Sequence, residues 1–214
     1  MLVLEEIYRT KKSEYSSAFN LRMQRCLSWW KKSILFHDDM DMQFMTAWVA
    51  LNALYAQGET IAQEQDHLLQ FVQHMYHKDF DQRMSRIIWE KYPHSLEILL
   101  THPYLQQSFW DWRNQKISEV TWRANFEDEK QQILHAMQQH DSASILSFVF
   151  KRLFTLQQQI LQGGATYSSA INRKQLSHAN TLLCALMPCF IQILLENLEN
   201  VELSQPFYPV MQMS

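Results

Sequence analysis

The fold of this chain is decided by one stretch, Gln157-Gln-Gln-Ile-Leu-Gln162-Gly-Gly-Ala-Thr-Tyr167, which continues to Asn172-Arg-Lys-Gln175. Ahead of it, apolar residues recur at three- and four-residue steps from Ser142, which predicts a helix over about 142–162 with a broad buried face. The two glycines predict the end of that helix, because glycine adopts the left-handed conformation of a helix C-cap at little cost. We therefore predict a helix, a tight turn, a short loop and a last long helix over about 172–197.

The same stretch resembles a motif of HEPN-domain proteins, in particular a bacterial Apea-like group of HEPN ribonucleases. In that group the equivalent run is similar to Arg-Asn-Gln-x-x-His-Gly-Gly-Ala-Thr-Trp, followed shortly by Asn-Arg-x-Gln. This chain has glutamine at all three positions that define the nuclease: Gln157 for the Arg, Gln158 for the Asn and Gln162 for the His. After these positions the motif is kept by Gly163, Gly164, Ala165, Thr166, the aromatic Tyr167, Ser169, Asn172, Arg173 and Gln175.

A second segment, Trp48-Val-Ala-Leu-Asn-Ala-Leu-Tyr-Ala56, is similar to an early segment of the same group, although it is less specific. The resemblance implies an all-α, HEPN-like up-and-down helical bundle with additional helices, in a single domain over 1–214 with an irregular tail from about 201. Composition independently favours helices, since the 214 residues include only three Gly and five Pro.

The rest of the sequence predicts helices of different lengths. We predict a first long helix over about Ser13–Phe36 and a second near Asp41–Gln57, with an aspartate able to cap the second. Residues 59–140 predict several shorter helices interrupted at Pro93 and Pro103.

The three glutamines change the chemistry that the resemblance implies, which is metal-independent RNA cleavage by attack of a ribose 2′-hydroxyl on the adjacent phosphate. That step needs a proton carrier near neutral pH and a cation over the phosphate oxygens. Gln162 cannot titrate and Gln157 carries no charge. Losing general acid–base help alone costs about 10²–10⁴ in rate, so we expect little or no cleavage.

The sequence indicates no cofactor and no metal site, since His74 and His77 have no companion that completes a ligand set.

Helical spacing leaves the site's assembly open. At about 100° per residue, positions 158 and 162 share one helix face, whereas 157 and 162 diverge by roughly 140°. The resemblance implies that two copies pair so that both line one cleft, and hence a homodimer. The alternative is a polar helix end whose glutamines simply face solvent.

Asn52 is a polar residue in the apolar run of the second segment, so it needs a hydrogen-bond partner if it is buried. One interpretation places it against the polar helix end near Gln158 and Gln162, where in an active relative it would help orient the catalytic His. The other interpretation is a core asparagine bonded to a nearby backbone carbonyl.

The net charge of −3 does not by itself indicate a protein that binds nucleic acid. Locally, however, no Asp or Glu occurs between Ser142 and Leu195, while Lys151, Arg152, Arg173 and Lys174 supply four positive charges. These four residues are our candidate RNA-binding cations. Ordinary solvated cations on a helix and a loop are the alternative.

The leading hypothesis is an inactive HEPN-like protein that binds RNA, or a protein partner, in a defence or toxin–antitoxin system, a setting implied by the resemblance. An active endoribonuclease that recruits His178, Arg173 or Arg152 is one alternative. Deliberate replacement of catalytic residues in a toxic enzyme is another, and a structural helical protein unrelated to HEPN is a third.

Three scattered cysteines and no signal peptide favour a cytoplasmic protein without a membrane span.

Overall fold

A computed structural model describes residues 2–58, 60–197 and 205–208. Within those residues all regular secondary structure is helical, which confirms the all-α helical bundle. Most of the expected C-terminal tail, 201–214, lies outside the described residues. The chain divides into two compact units, unit 1 with Met1–Asp81 and Leu183–Ser214, and unit 2 with Gln82–Leu182. The single domain over 1–214 stays a prediction.

Unit 1 is built on a long helical hairpin. Its helices are α1 (Leu2–Lys11), α2 (Ser17–Leu35), α3 (Met40–Tyr55) and α4 (Ile61–Lys78), joined by the second half of α10 (Arg173–Glu196). Helices α2 and α3 pack along each other. The large side chains of Met23 and Trp48 lie inside this unit, essentially without solvent exposure.

The first helix predicted from sequence was wrong in its bounds. The chain forms α1 and a 3₁₀ turn, Lys12–Glu14, before α2 begins at Ser17. The break has a local cause, because Ser16 is extended (φ −61°, ψ 158°) and its Oγ accepts a hydrogen bond from the Phe19 backbone N–H. Helix α3 lies within two residues of its predicted bounds, and Asp39 caps it by accepting from the Met42 N–H at 3.0 Å.

Unit 2 holds the stretch from which the fold was inferred. Its helices are α5 (Arg83–Arg86), α6 (Pro93–Thr101), α7 (Gln107–Arg113), α8 (Glu119–Gln138), α9 (Ser142–Leu161) and the first half of α10, with a π-helical turn at Ile87–Lys91 and a 3₁₀ turn at Pro103–Leu105. Pro93 and Pro103 begin new helical segments, as their missing N–H groups favour. The several shorter helices expected over 59–140 include two longer ones, α4 and α8, which have 18 and 20 residues.

The bounds of α9 and α10 confirm the sequence prediction to within one residue. Helix α9 packs against α6 and α8. Helix α10 is long and apolar enough to cross a membrane by length and composition alone, but 67% of its most apolar window is buried inside the protein. A buried core helix passes the same test, so this is weak evidence for a span.

Candidate functional site at the end of helix α9

Helix α9 ends in a tight turn made by Gly163 and Gly164. Gly163 adopts a left-handed backbone, φ +70°. Its N–H donates to the Ile160 carbonyl at 3.1 Å, and the Gly164 N–H donates to the Gln159 carbonyl at 2.7 Å. This is the Schellman pattern, in which two backbone bonds satisfy carbonyls that the helix itself cannot. The turn predicted from the two glycines is therefore confirmed.

The two glycines are needed for different reasons. A Cβ on Gly163 would meet nothing within 4 Å, so the requirement there is conformational and comes from the positive φ. A Cβ on Gly164 would lie 2.9 Å from the Gln159 carbonyl oxygen, so the requirement there is space. Since that contact is with the backbone, a side chain at 164 would push the turn open.

The three glutamines at the degenerate positions are joined in one chain of side-chain hydrogen bonds. The Gln162 Nε2 donates to Gln158 Oε1 at 3.3 Å, and the Gln158 Nε2 donates to Gln157 Oε1 at 3.2 Å. Gln158 thus bridges two positions that diverge around the helix. Gln157 is only 2% exposed, Gln158 is half-buried and Gln162 is exposed, so the row of side-chain hydrogen bonds runs from the interior to the surface. Neutral amides donate and accept hydrogen bonds but do not exchange protons near neutral pH.

Gln159 ties this helix end to the next elements and was not singled out from the sequence. Its Oε1 accepts from Asn172 Nδ2 at 3.2 Å, and its Nε2 donates to the Tyr104 carbonyl at 2.8 Å. The Tyr104 carbonyl also accepts from Trp110 Nε1 at 2.7 Å. One sequence signal pointed to Gln159: it is the only one of the three adjacent glutamines that matches the resembled motif.

The loop between α9 and α10 is open to solvent and carries large apolar side chains at its surface. In the loop, Tyr167 and Ile171 are 69% and 68% exposed, and Leu161 at the end of α9 is 61% exposed. The loop closes onto α10 through a bond from Arg173 Nε to the Ser169 carbonyl at 3.0 Å. The exposed end of the glutamine chain and these apolar groups belong to the same segment, 157–173.

Three of the four candidate cations have solvent access. Lys174 is exposed, while Lys151 and Arg173 are half-buried. The Lys151 ammonium lies 5.4 Å from the centre of the Phe148 ring, in a cation–π arrangement.

Arg152 departs from the expected exposed basic surface. It is 2% exposed, and its Nη2 pairs with Glu129 Oε2 at 2.7 Å. The same carboxylate oxygen accepts from Gln106 Nε2. A direct contact between Arg152 and RNA would require this buried pair to open, which is costly. No local sequence pattern marks this pairing, because Glu129 lies on α8 and Arg152 on α9.

Asn52 lies in unit 1, where its Oδ1 accepts from the Tyr55 hydroxyl at 2.9 Å. Its side chain is half-buried. Two partners were expected for Asn52: a backbone carbonyl, or the polar helix end near Gln158 and Gln162, which are residues of unit 2. The bond to Tyr55 is a third arrangement, and a helper role for Asn52 stays a prediction.

No family model, curated protein or solved structure matches this chain. Among the described residues, no group of three or more His, Cys, Asp or Glu is placed to hold a metal ion.

Replacing Gly163 tests the turn. Asparagine tolerates the left-handed conformation far better than a β-branched residue does. We expect Gly163→Val to lower the free energy of unfolding by about 2 kcal/mol and Gly163→Asn by less than about 1 kcal/mol. Urea unfolding followed by circular dichroism measures both. Equal losses would show that φ is not the constraint at 163.

Replacing Arg152 separates a structural role from an RNA contact. Arg152→Met leaves Glu129 without its cation, so we expect the free energy of unfolding to fall by about 3 kcal/mol. The matched control, Lys151→Met, removes a half-exposed charge and should change stability by less than about 1 kcal/mol. Unchanged stability of Arg152→Met, together with lost RNA binding, would contradict the structural assignment.

Proposed function

We propose that this chain is a HEPN-like protein whose ribonuclease centre has become a binding site, and that it acts by holding RNA without cutting it. The proposal includes a homodimer and a role in a defence or toxin–antitoxin system, both of which rest on the resemblance. It also includes a cytoplasmic location, which rests on the few scattered cysteines. A protein partner from such a system is the alternative ligand. The observation that carries the proposal is the hydrogen-bonded chain of Gln157, Gln158 and Gln162.

The hydrogen-bonded glutamines occupy the positions at which the resembled motif has Arg, Asn and His. Their hydrogen bonds connect the buried Gln157 to the exposed Gln162. No member can carry charge or a transferable proton, so general acid–base help and charge stabilisation are both lost at these positions. What remains is the capacity of an amide to donate to and accept from RNA bases or phosphates.

The surroundings of Gln162 suit a single-stranded nucleic acid. Tyr167 is largely exposed and offers a ring on which a base can stack. Lys174 is exposed at the start of α10, and Lys151 and Arg173 have partial exposure. Cations that track the backbone and an aromatic that stacks are the usual components of such sites.

An active enzyme with replacement residues has weaker support. His178, Arg173 and Arg152 contact different groups: Ser95, the Ser169 carbonyl and Glu129, respectively. Cleavage by these residues would need them to converge on one phosphate in a dimer. His178 provides a titratable ring, so this alternative is retained for the experiment.

Restoring the motif tests the proposal. We expect this protein to bind a 5′-labelled single-stranded RNA and leave it intact, and Gln157→Arg/Gln158→Asn/Gln162→His to cut it without metal. The matched control, Gln157→Arg/Gln158→Asn/Gln162→Asn, has the same charge change but no proton carrier and should not cut. Gel analysis of RNA incubated with EDTA measures cleavage, and light scattering measures dimerisation.

Gln157 is buried, so an arginine there can disturb folding; Gln162→His alone changes only an exposed position and serves as the second variant. Because Gln162→His removes the surface amide of the proposed site, we expect that single variant to bind RNA more weakly than the parent. Cleavage by the parent protein would show that the inactive assignment is wrong. Failure of every folded, dimeric variant to bind RNA would overturn the binding function.

A further inference from the structure

A second polar cluster lies in unit 2, where the start of α6 meets the first half of α10. The His178 Nδ1 lies 3.0 Å from Ser95 Oγ. The ring of His94 meets the ring of His178 edge to face, with ring centres 5.3 Å apart. Lys174 precedes His178 by one turn of α10, so the two side chains share a helix face.

The cluster is arranged around His178 and not around Ser95. Ser95 is 6% exposed, so its hydroxyl is poorly placed to react with a ligand from solvent. Its hydrogen bond instead fixes the orientation of the His178 ring and leaves Nε2 as the nitrogen available to a ligand. His94 and Lys174 are exposed, and His178 is half-buried, so the cluster is open to solvent.

The charges of this cluster favour an anion. His178, His94 and Lys174 are all cationic when protonated, and Glu97 lies at the edge, with Oε2 3.9 Å from His94 Nδ1. Burial, followed by the nearby His94 and Lys174, lowers the pKa of His178. A bound anion would offset the repulsion among the three cations.

We propose that His94, His178 and Lys174 bind a phosphate group, and that RNA supplies it as a backbone phosphodiester. The choice of RNA as the source rests on the function proposed above. A phosphate suits this cluster better than a carboxylate does, because its tetrahedral oxygens can accept from two imidazoles and an ammonium together. The cluster thus supplies titratable positive charge that the three glutamines lack.

Linkage sets the direction of the pH dependence. A phosphate bound beside His178 stabilises the protonated ring and raises the pKa of His178. By reciprocity, the affinity for phosphate increases as pH falls toward and below that pKa. The groups that set this response are His94, Lys174 and Glu97, together with Ser95, which holds the ring.

The test follows the imidazole Cε1–H signals by NMR from pH 5 to 8 at constant ionic strength. The full chain is titrated alone, with inorganic phosphate, with chloride and with a short oligouridylate. We expect phosphate and the oligonucleotide each to raise the pKa of His178 by about half a unit or more, and chloride to leave it unchanged. Lys174→Gln should weaken oligonucleotide binding at pH 6 about threefold or more, whereas Lys116→Gln, an exposed lysine elsewhere, should not.

The outcomes separate the two proposals. Oligonucleotide binding without any shift of His178, and unchanged in Lys174→Gln, would overturn this site while leaving RNA binding intact. A shift with phosphate in a protein that does not bind the oligonucleotide would support the phosphate site and overturn RNA as its source. Because Lys174 is exposed, we expect Lys174→Gln to fold as the parent does, which keeps the test decisive.

Discussion

The last carbonyl groups of a helix have no partners within the helix itself, and this constraint governs the end of α9. The Gly163–Gly164 turn meets it with two backbone hydrogen bonds, one of which needs a left-handed residue and the other a residue without a side chain. The turn leaves Gln162 at the surface and directs the chain into the exposed loop. The bond between Gln159 and Asn172 then ties the end of one helix to the beginning of the next. Every candidate function in this segment depends on that placement.

The chemistry available at this helix end follows from the side chains it presents. A connected row of amides reaches from Gln157 in the interior to Gln162 at the surface, and amides recognise hydrogen-bonding partners without moving protons. The cation nearest in sequence, Arg152, is held inside by Glu129. The titratable groups of unit 2 that remain accessible include His94 and His178, at the contact of α6 and α10. The amides and the titratable charges therefore belong to different side chains, and the proposed function assigns recognition to the amides and charge to the histidines.

Sequence reasoning succeeded where the signal was local. The bounds of α9 and α10, the glycine turn and the Asp39 cap all depend on residues close in the chain, and the structure bears them out. It failed at Ser16, whose side-chain bond starts α2 later than the apolar periodicity predicts. It also could not foresee the bond between His178 and Ser95, which are separated by 83 residues. Such long-range pairs depend on tertiary packing and leave no local pattern.

The central claim is that the segment around the glutamine chain holds RNA without cleaving it. The most direct measurement is photocrosslinking of a 4-thiouridine RNA to the full chain, with mass spectrometry of the crosslinked peptides and gel analysis of the recovered RNA. We predict crosslinks within residues 151–178, including Tyr167, on RNA that remains intact. Crosslinks confined to other parts of the chain, or RNA cut at discrete positions, would contradict the claim.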